Sequence, residues 1–333
     1  MLTQVRRLQV LRRNVQVTPS HTNGGASERN KATVPQENPI RIVPGDPKHR
    51  LASVEVNGLG LDDYDRTGNL SVWKIAKWFE GTRKFSFDDI HVLPELNKTS
   101  LAYIIATKYV LTPDVYIPYR QALQCRLRFD TWMYKIGGST YVISTQCFRK
   151  CPTVSGSCDK DVATGQNIDT DDTTDCLVGE CIATMVAVDK VTHKAVSLPN
   201  WFRENFGSHV VPSPLPLSPV SPLTPSSSVQ IFTSNFHVPP SDMDHNWHTH
   251  HTKYIRYCID EGTKAAHQGA YRQFQDDLCH SQVCYMEMLY TGQSQAGDVL
   301  QCSSWEVENA DKTLCFQVNK DSVPLFHCSM KFR

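Results

Sequence analysis

The chain lacks several features that would mark a function class at sight. Lysine plus arginine is 34 and aspartate plus glutamate is 34, so neither sign is in excess. Without a net positive charge, no long-range field draws the protein onto nucleic acid or an anionic membrane. No apolar run approaches the roughly 18 residues that a membrane span needs, and the N-terminus has no continuous apolar core of the secretory kind. Twelve cysteines stand at 125, 147, 151, 158, 176, 181, 258, 279, 284, 302, 315 and 328 without a CxxC pair. Zinc-ribbon and thioredoxin readings therefore have no support. The cysteine density is too low for a small disulfide scaffold, and most are expected to be buried or free thiols in a reducing compartment. GxSxG is also absent, which leaves a serine nucleophile elbow unsupported. What is present, 40% hydrophobic and 9% aromatic residues over 333 positions, suffices for a packed core in one large domain or two.

Composition divides the chain. The first 27 residues hold no acid but include Arg6, Arg7, Arg12 and Arg13. On a helical wheel, Leu2, Val5, Leu8, Leu11 and Val15 fall opposite most of these arginines. That is the make-up of a mitochondrial transit segment; an ordinary basic tail shares it, and a cytoplasmic location is the alternative. Residues 16–50 have no periodicity and read as linker, so 1–51 is expected to be disordered. A second break, PSPLPLSPVSPLTPSSS at 212–228, has six prolines and six serines. Proline fixes φ and removes donors, so this stretch reads as a linker, a proline-motif ligand being the lesser alternative. It separates 52–211 from 229–333.

Each segment shows one helix followed by strands. Val72, Ile75, Ala76 and Phe79 make a helical stripe, with strands expected at 100–110, 123–136, 139–148 and 181–196. Ile255, Cys258, Ile259, Gly262 and Ala266 make the second stripe, with strands at about 282–291, 297–307, 312–319 and 324–332. This repeated order implies an α+β fold in which a sheet wraps a helix, duplicated and diverged. An insertion at about 149–179 carries six aspartates. Its spacing does not match a calcium loop, so a solvated surface loop is the expected form.

The chemistry gathers at 237–262, HVPPSDMDHNWHTHHTKYIRYCIDEG. Asp242, Asp244, Asn246, His245, His248, His250 and His251 lie just before or at the start of the second helix, whose N-terminus leaves unpaired N–H groups and partial positive charge. Three readings fit. A zinc site is one, although HxxHxHH is not HExxH and no further ligand group is evident downstream. Helix capping alone is another. The third is a metal-free hydrolytic site, in which an acid, an amide and an imidazole activate and orient a water.

The stretch SDMDHNWHTHHTKYIRYCIDE resembles the signature of plant-type and bacterial fatty acyl-ACP thioesterases, D-x-N-x-H followed by polar residues and KYI. Asp244, Asn246 and His248 match its three chemical positions, with Lys253, Tyr254 and Ile255 in register. LDDYDRTGNLSVWKIAKWFE (61–80), VDKVTHKAVSLPNW (188–201) and GDVL (297–300) are weaker pieces in the same order, and together the resemblance spans about 52–332. It implies a double hot-dog: two α+β lobes whose sheets join around two long helices. It implies hydrolysis of fatty acyl thioesters, with acyl carrier protein or acyl-CoA as the substrate partner, no cofactor and no metal. The first lobe would supply much of the acyl tunnel; Trp73, Trp78 and Tyr103 are candidates to line it, although aromatics at such spacing are more often ordinary core. The second lobe would supply catalysis. The equivalent first-lobe stretch, Asp65 to Asn69, has no histidine.

In that mechanism His248 accepts or relays a proton, Asp244 orients the water or the imidazole, and Asn246 positions substrate or water. Backbone N–H groups near 248–251 hold the developing oxyanion. Two positions depart from the pattern. The family's glutamate after the helix aligns with Gln293, with Gln295 next, and glutamine cannot take a proton. Its paired asparagines are His250 and His251. A catalytically silent hot-dog protein that binds acyl chains or carriers is therefore the alternative. Cys258 and Cys284 are the other nucleophile candidates, with Cys258 expected in the core. A homodimer is left open.

Overall fold

The computed structural model describes residues 40–44, 52–89, 92–152, 173–211, 220, 222 and 224–333. The basic segment 1–39, the middle of the acidic insertion and most of the Pro/Ser stretch lie outside the described residues.

The two helical stripes form the two long helices. The first, α1, runs Val72–Asp89 and buries Val72, Ile75, Ala76 and Phe79. Phe79 meets Tyr109 and Phe129 edge-to-face at 5.7 and 5.3 Å. A short α2 (Val92–Thr99) and a helical turn α3 (Asn200–Phe206) follow later in the first half. The second long helix, α4, is Lys253–His267, with Ile255, Cys258, Ile259 and Ala266 buried. Each large apolar side chain buried here contributes roughly 1.5–3 kcal/mol relative to exposure. One core cluster runs from Val54 to Phe332 and holds residues of both halves, and two smaller ones lie within the first half.

Eleven strands pair into one sheet. They are β1 (Ile40–Pro44), β2 (Ala52–Asn57), β3 (Ser100–Leu111), β4 (Arg126–Ile136), β5 (Thr140–Pro152), β6 (Thr173–Asp189), β7 (Phe232–His237), β8 (Val283–Tyr290), β9 (Val299–Glu306), β10 (Thr313–Lys320) and β11 (Val323–Phe332). Their order is β1-β2-β4-β5-β6-β3-β8-β11-β10-β9-β7. Leaving out β1, the order β2-β4-β5-β6-β3 is matched in reverse by β8-β11-β10-β9-β7. Each half thus repeats the other, and the two join through the antiparallel pair β3–β8, Ala106 facing Leu289 and Val110 facing Tyr285. Lys108 and Glu287 bridge this seam at 2.9 Å. The α+β double hot-dog expected from the sequence is the fold observed.

Two expectations change. Residues 40–44, read as linker, pair with 52–56 of β2; the run Ile40-Arg41-Ile42-Val43 has the strand-forming residues for this. The insertion is also shorter than 149–179, because Arg149 pairs with Cys176 and Pro152 with Thr173. Among the described residues, no helix is long and apolar enough to cross a membrane.

Candidate active site

The Asp-x-Asn-x-His stretch folds as a tight turn just ahead of α4. The Asp244 N–H donates to His248 O at 2.8 Å and the Trp247 N–H to Asp244 O at 3.1 Å. Asp244 Oδ1 accepts the N–H groups of Asn246 and His248 at 2.7 and 3.2 Å. The first half builds the same turn 179 positions earlier. There Asp65 N–H donates to Asn69 O at 2.9 Å, Gly68 N–H to Asp65 O at 3.0 Å, and Asp65 Oδ1 accepts Thr67 N–H at 2.8 Å. An aspartate opens both turns because its carboxylate can satisfy the backbone donor two residues on, and in the second turn also the one four residues on. Gly68 and Trp247 occupy the same left-handed position, with φ of 80° and 64°.

Ionic and hydroxyl contacts fix the second turn. Asp242 is buried and pairs with Lys253 at 3.0 Å, with Arg256, and with the Tyr257 hydroxyl at 2.6 Å. These tie the approach to the first turns of α4, so Asp242 is an anchor. Behind the turn, the Ser294 hydroxyl lies 2.6 Å from Thr249 Oγ1 and 2.8 Å from the Tyr254 hydroxyl, while Thr249 N–H donates to Ser294 O at 2.8 Å.

The structure places the expected residues unevenly. Asp244 is part-buried, but its Oδ1 is occupied by the turn, so its first task is to shape the backbone. Asn246 is exposed and His248 part-buried. Neither side chain has a hydrogen-bond partner among the described residues. Gln293 lies after β8 rather than on a strand; it and Gln295 are exposed, and neither side chain makes a hydrogen bond to a described residue. The expected oxyanion donors are also reduced. The N–H groups of His248, Thr249 and His250 go to Asp244 Oδ1, Ser294 O and Asp242 O. Among 248–251 only the His251 N–H has no hydrogen bond to a described residue. Cys258 is fully buried, and burial, followed by Cys302 and Cys328, pushes its thiol well above the usual range. That is the opposite of an activated nucleophile.

A residue that the sequence did not single out completes the cluster. Glu80, one residue past Phe79 on α1, lies 2.8 Å from His250 Nε2 and 3.7 Å from His251 Nδ1. The other nitrogen of His250 meets Thr252 Oγ1 at 2.9 Å. The rings of His250 and His251 stack at 5.0 Å, and Tyr290 meets His251 edge-on at 5.8 Å. His251 Nε2 is buried without a hydrogen-bond partner among the described residues. Burial pushes the His251 imidazole down to about 4, against the upward pull of Glu80. Burial alone would raise the Glu80 carboxyl, but His251, His250 and Arg83 together hold it well below the usual carboxylate range. Asp244 is also near enough to act on His251. Donor atoms of Glu80, His250 and His251 lie within 4.8 Å of one another, and two imidazoles with a carboxylate is a set that zinc accepts. Against that fit, His250 Nε2 and Glu80 are already hydrogen-bonded to each other and the buried Arg83 cation acts on both Glu80 and His251.

Comparisons with solved structures agree with this architecture. A protein from Lactobacillus plantarum named as an oleoyl thioesterase superposes with a TM-score of 0.63 at 11% identity, covering 84% of this chain and 95% of that one. The 12:0-ACP thioesterase of Umbellularia californica gives 0.60 at 11%, covering 86% and 98%. An acyl-ACP thioesterase from Bacteroides thetaiotaomicron gives 0.59 at 15%, covering 84% and 97%. No family model and no curated protein sequence matches the chain. At these identities the likeness defines the fold: the chain has the two-lobed architecture of acyl-ACP thioesterases over nearly their whole length.

Proposed function

We propose that the protein hydrolyses fatty acyl thioesters, acyl-ACP or acyl-CoA, to a free fatty acid and the carrier thiol. The carrying observation is the asymmetry of two otherwise equal turns. Both halves fold the same aspartate-opened turn ahead of the long helix, but only the second places a carboxamide and an imidazole there, Asn246 and His248, where the first has Thr67 and Asn69. The resemblance of this stretch to the thioesterase signature and the shared fold both support the reading. A thioester is already activated, so a positioned water with a proton acceptor suffices. Asp244 shapes the turn, Asn246 orients the thioester or the water, His248 accepts the proton or relays it, and Gln293 at most hydrogen-bonds water.

The test is thiol release from panels of acyl-CoA and acyl-ACP by the purified full chain. Turnover that falls at least 100-fold in Asn246→Ala and His248→Ala is expected. An unaltered rate in both variants, or no release by the wild type, refutes the reading; the latter with retained acyl binding would indicate the silent acyl-binding protein instead. The basic N-terminal segment supports a mitochondrial location, and a reporter carrying residues 1–40 that stays cytosolic would withdraw it.

A further inference from the structure

Two positions depart from the thioesterase pattern. The carboxylate expected after the second helix is Gln293, which is exposed and whose side chain makes no hydrogen bond to a described residue. The paired asparagines expected after His248 are His250 and His251. A carboxylate does reach the start of α4, but from the other half of the molecule: Glu80 of α1, against both imidazoles.

We propose that His251, backed by Glu80, is the group on which the proton of the attacking water comes to rest, and that the His251 backbone N–H faces the thioester oxygen. This rests on the hydrolase reading and assigns two residues to it. His250 is unsuited to the task because both its ring nitrogens are engaged, one by Glu80 and one by Thr252. His248 has no carboxylate paired with its ring among the described residues. His251 has one nitrogen toward Glu80 and the other buried with no hydrogen-bond partner among the described residues. Its ring is held by packing against His250 and Tyr290, and its N–H is the one donor among 248–251 with no hydrogen bond to a described residue. Glu80, 3.7 Å from one nitrogen, is the main group that pulls toward the imidazolium against burial and Arg83, and the opposite nitrogen is left for the water, the order of groups that a carboxylate-backed general base uses.

The step balances without a further reactant. Water oxygen attacks the carbonyl carbon, a C–O bond forms, and the carbonyl pair moves onto oxygen opposite the His251 N–H. The water proton passes to His251 Nε2, directly or through His248. On collapse the C–S bond breaks, and the leaving thiolate takes the proton from the imidazolium. The charged and titratable groups facing His251 are Glu80 and Arg83 of α1, His250 and Asp244 of its own segment, and Tyr290 of β8.

Steady-state hydrolysis of a long-chain acyl-CoA by the full chain decides the matter. His251→Asn, which installs the residue expected there from the resemblance, should lower kcat at least 100-fold with KM changed less than about threefold. Glu80→Gln should lower kcat about tenfold and move the acid limb of kcat/KM to lower pH, because removing the anion makes the imidazolium harder to form. Glu80→Asp should recover part of both. A folded His251→Asn protein with near wild-type kcat overturns the proposal, as does a limb that stays fixed in Glu80→Gln. Should His251→Asn fail to fold, the two Glu80 variants decide by the same two readouts. Activity lost on chelation and restored by zinc also overturns it, in favour of a Glu80–His250–His251 metal centre. A wild type that releases no thiol defeats the hydrolase reading itself; an active wild type with indifferent variants defeats only this assignment.

Discussion

Replacing Trp247 by glycine should make the protein more stable although it deletes the largest side chain of the turn. Trp247 has φ of 64° and is 78% exposed, so it bears the left-handed conformation with little packing in return. For an L-residue that conformation costs about 1–2 kcal/mol. Glycine removes this cost but loses about 0.5–1 kcal/mol through the greater freedom of its unfolded chain. The net gain should be about 0.5–1 kcal/mol, read as a shift of the urea midpoint at constant slope. Trp247→Asn should also gain, since asparagine tolerates the left-handed region. The equivalent turn supplies the opposite experiment. Gly68→Ala imposes the same strain at φ 80° and brings a Cβ to 3.3 Å from the Tyr119 ring, so it should lose about 1–2 kcal/mol. A loss of stability in Trp247→Gly, or no loss in Gly68→Ala, would falsify the equivalence of the two turns on which the site rests.

Arg66 of the first half reaches Asp277, and also Asp260 and Thr263, in the second. A double-mutant cycle of Arg66→Ala and Asp277→Ala should give a coupling of about 1 kcal/mol or less at this part-exposed site, weakening with salt. Burial opposes ionisation of Asp277, but Arg66 and neighbouring donors prevail and bring it to about 2. The coupling should therefore be complete above about pH 4 and fade as pH falls toward 2. Two helix glycines should respond oppositely to alanine. Gly262→Ala puts a Cβ 2.5 Å from Leu278 Cδ1 and 3.1 Å from the Phe316 ring and should cost about 1–3 kcal/mol. Gly81→Ala meets nothing within 4 Å and should gain up to about 1 kcal/mol of helix propensity. For His251 the folded value near 4 lies below the unfolded value of about 6.5. The unfolded chain then binds the extra proton first, so stability should fall by on the order of 1–3 kcal/mol between pH 6.5 and 4. His251→Asn should flatten that slope in chemical denaturation; an unchanged slope would show that His251 is not held neutral.

The helices were legible because their stripes are the core: Val72, Ile75, Ala76 and Phe79 recur at a period that one buried face imposes. The long strands were legible for the related reason that β3, β4 and β5 are rich in β-branched and aromatic residues. The edge strands were not. In β7, FTSNFH, inward Phe232, Ser234 and Phe236 alternate with outward residues over only six positions, a pattern too short to stand out. β1 is a strand because β2 lies beside it, and its sequence neighbours are linker-like. Asp244, Asn246 and His248 were found by spacing, but spacing said nothing of what the Asp244 carboxylate would bind. Glu80 was illegible. A carboxylate beside Phe79 reads as an ordinary polar face, and its partners lie 170 positions away, so only the tertiary fold reveals the pairing.

The duplication explains why this site needs both halves. In a chain of two equal lobes, every turn ahead of a long helix has a twin, and strict symmetry would give two copies of each group. Here the twins have divided the chemistry. The second lobe keeps the imidazoles at 248, 250 and 251, and the first lacks them, with Asn69, Ser71 and Val72 in the equivalent places. The first lobe instead supplies a carboxylate from within its helix, at a position whose twin in α4 is the buried Ile259. Ile259 is packed in the apolar core shared by both halves, so a carboxylate at 259 would be an unpaired buried charge, which costs several kcal/mol. At 80 it faces the imidazoles across the seam, and the pairing holds it ionised. Asymmetry between the lobes is thus what allows a charged group at this depth, and separating the lobes should abolish the site even if each half folded.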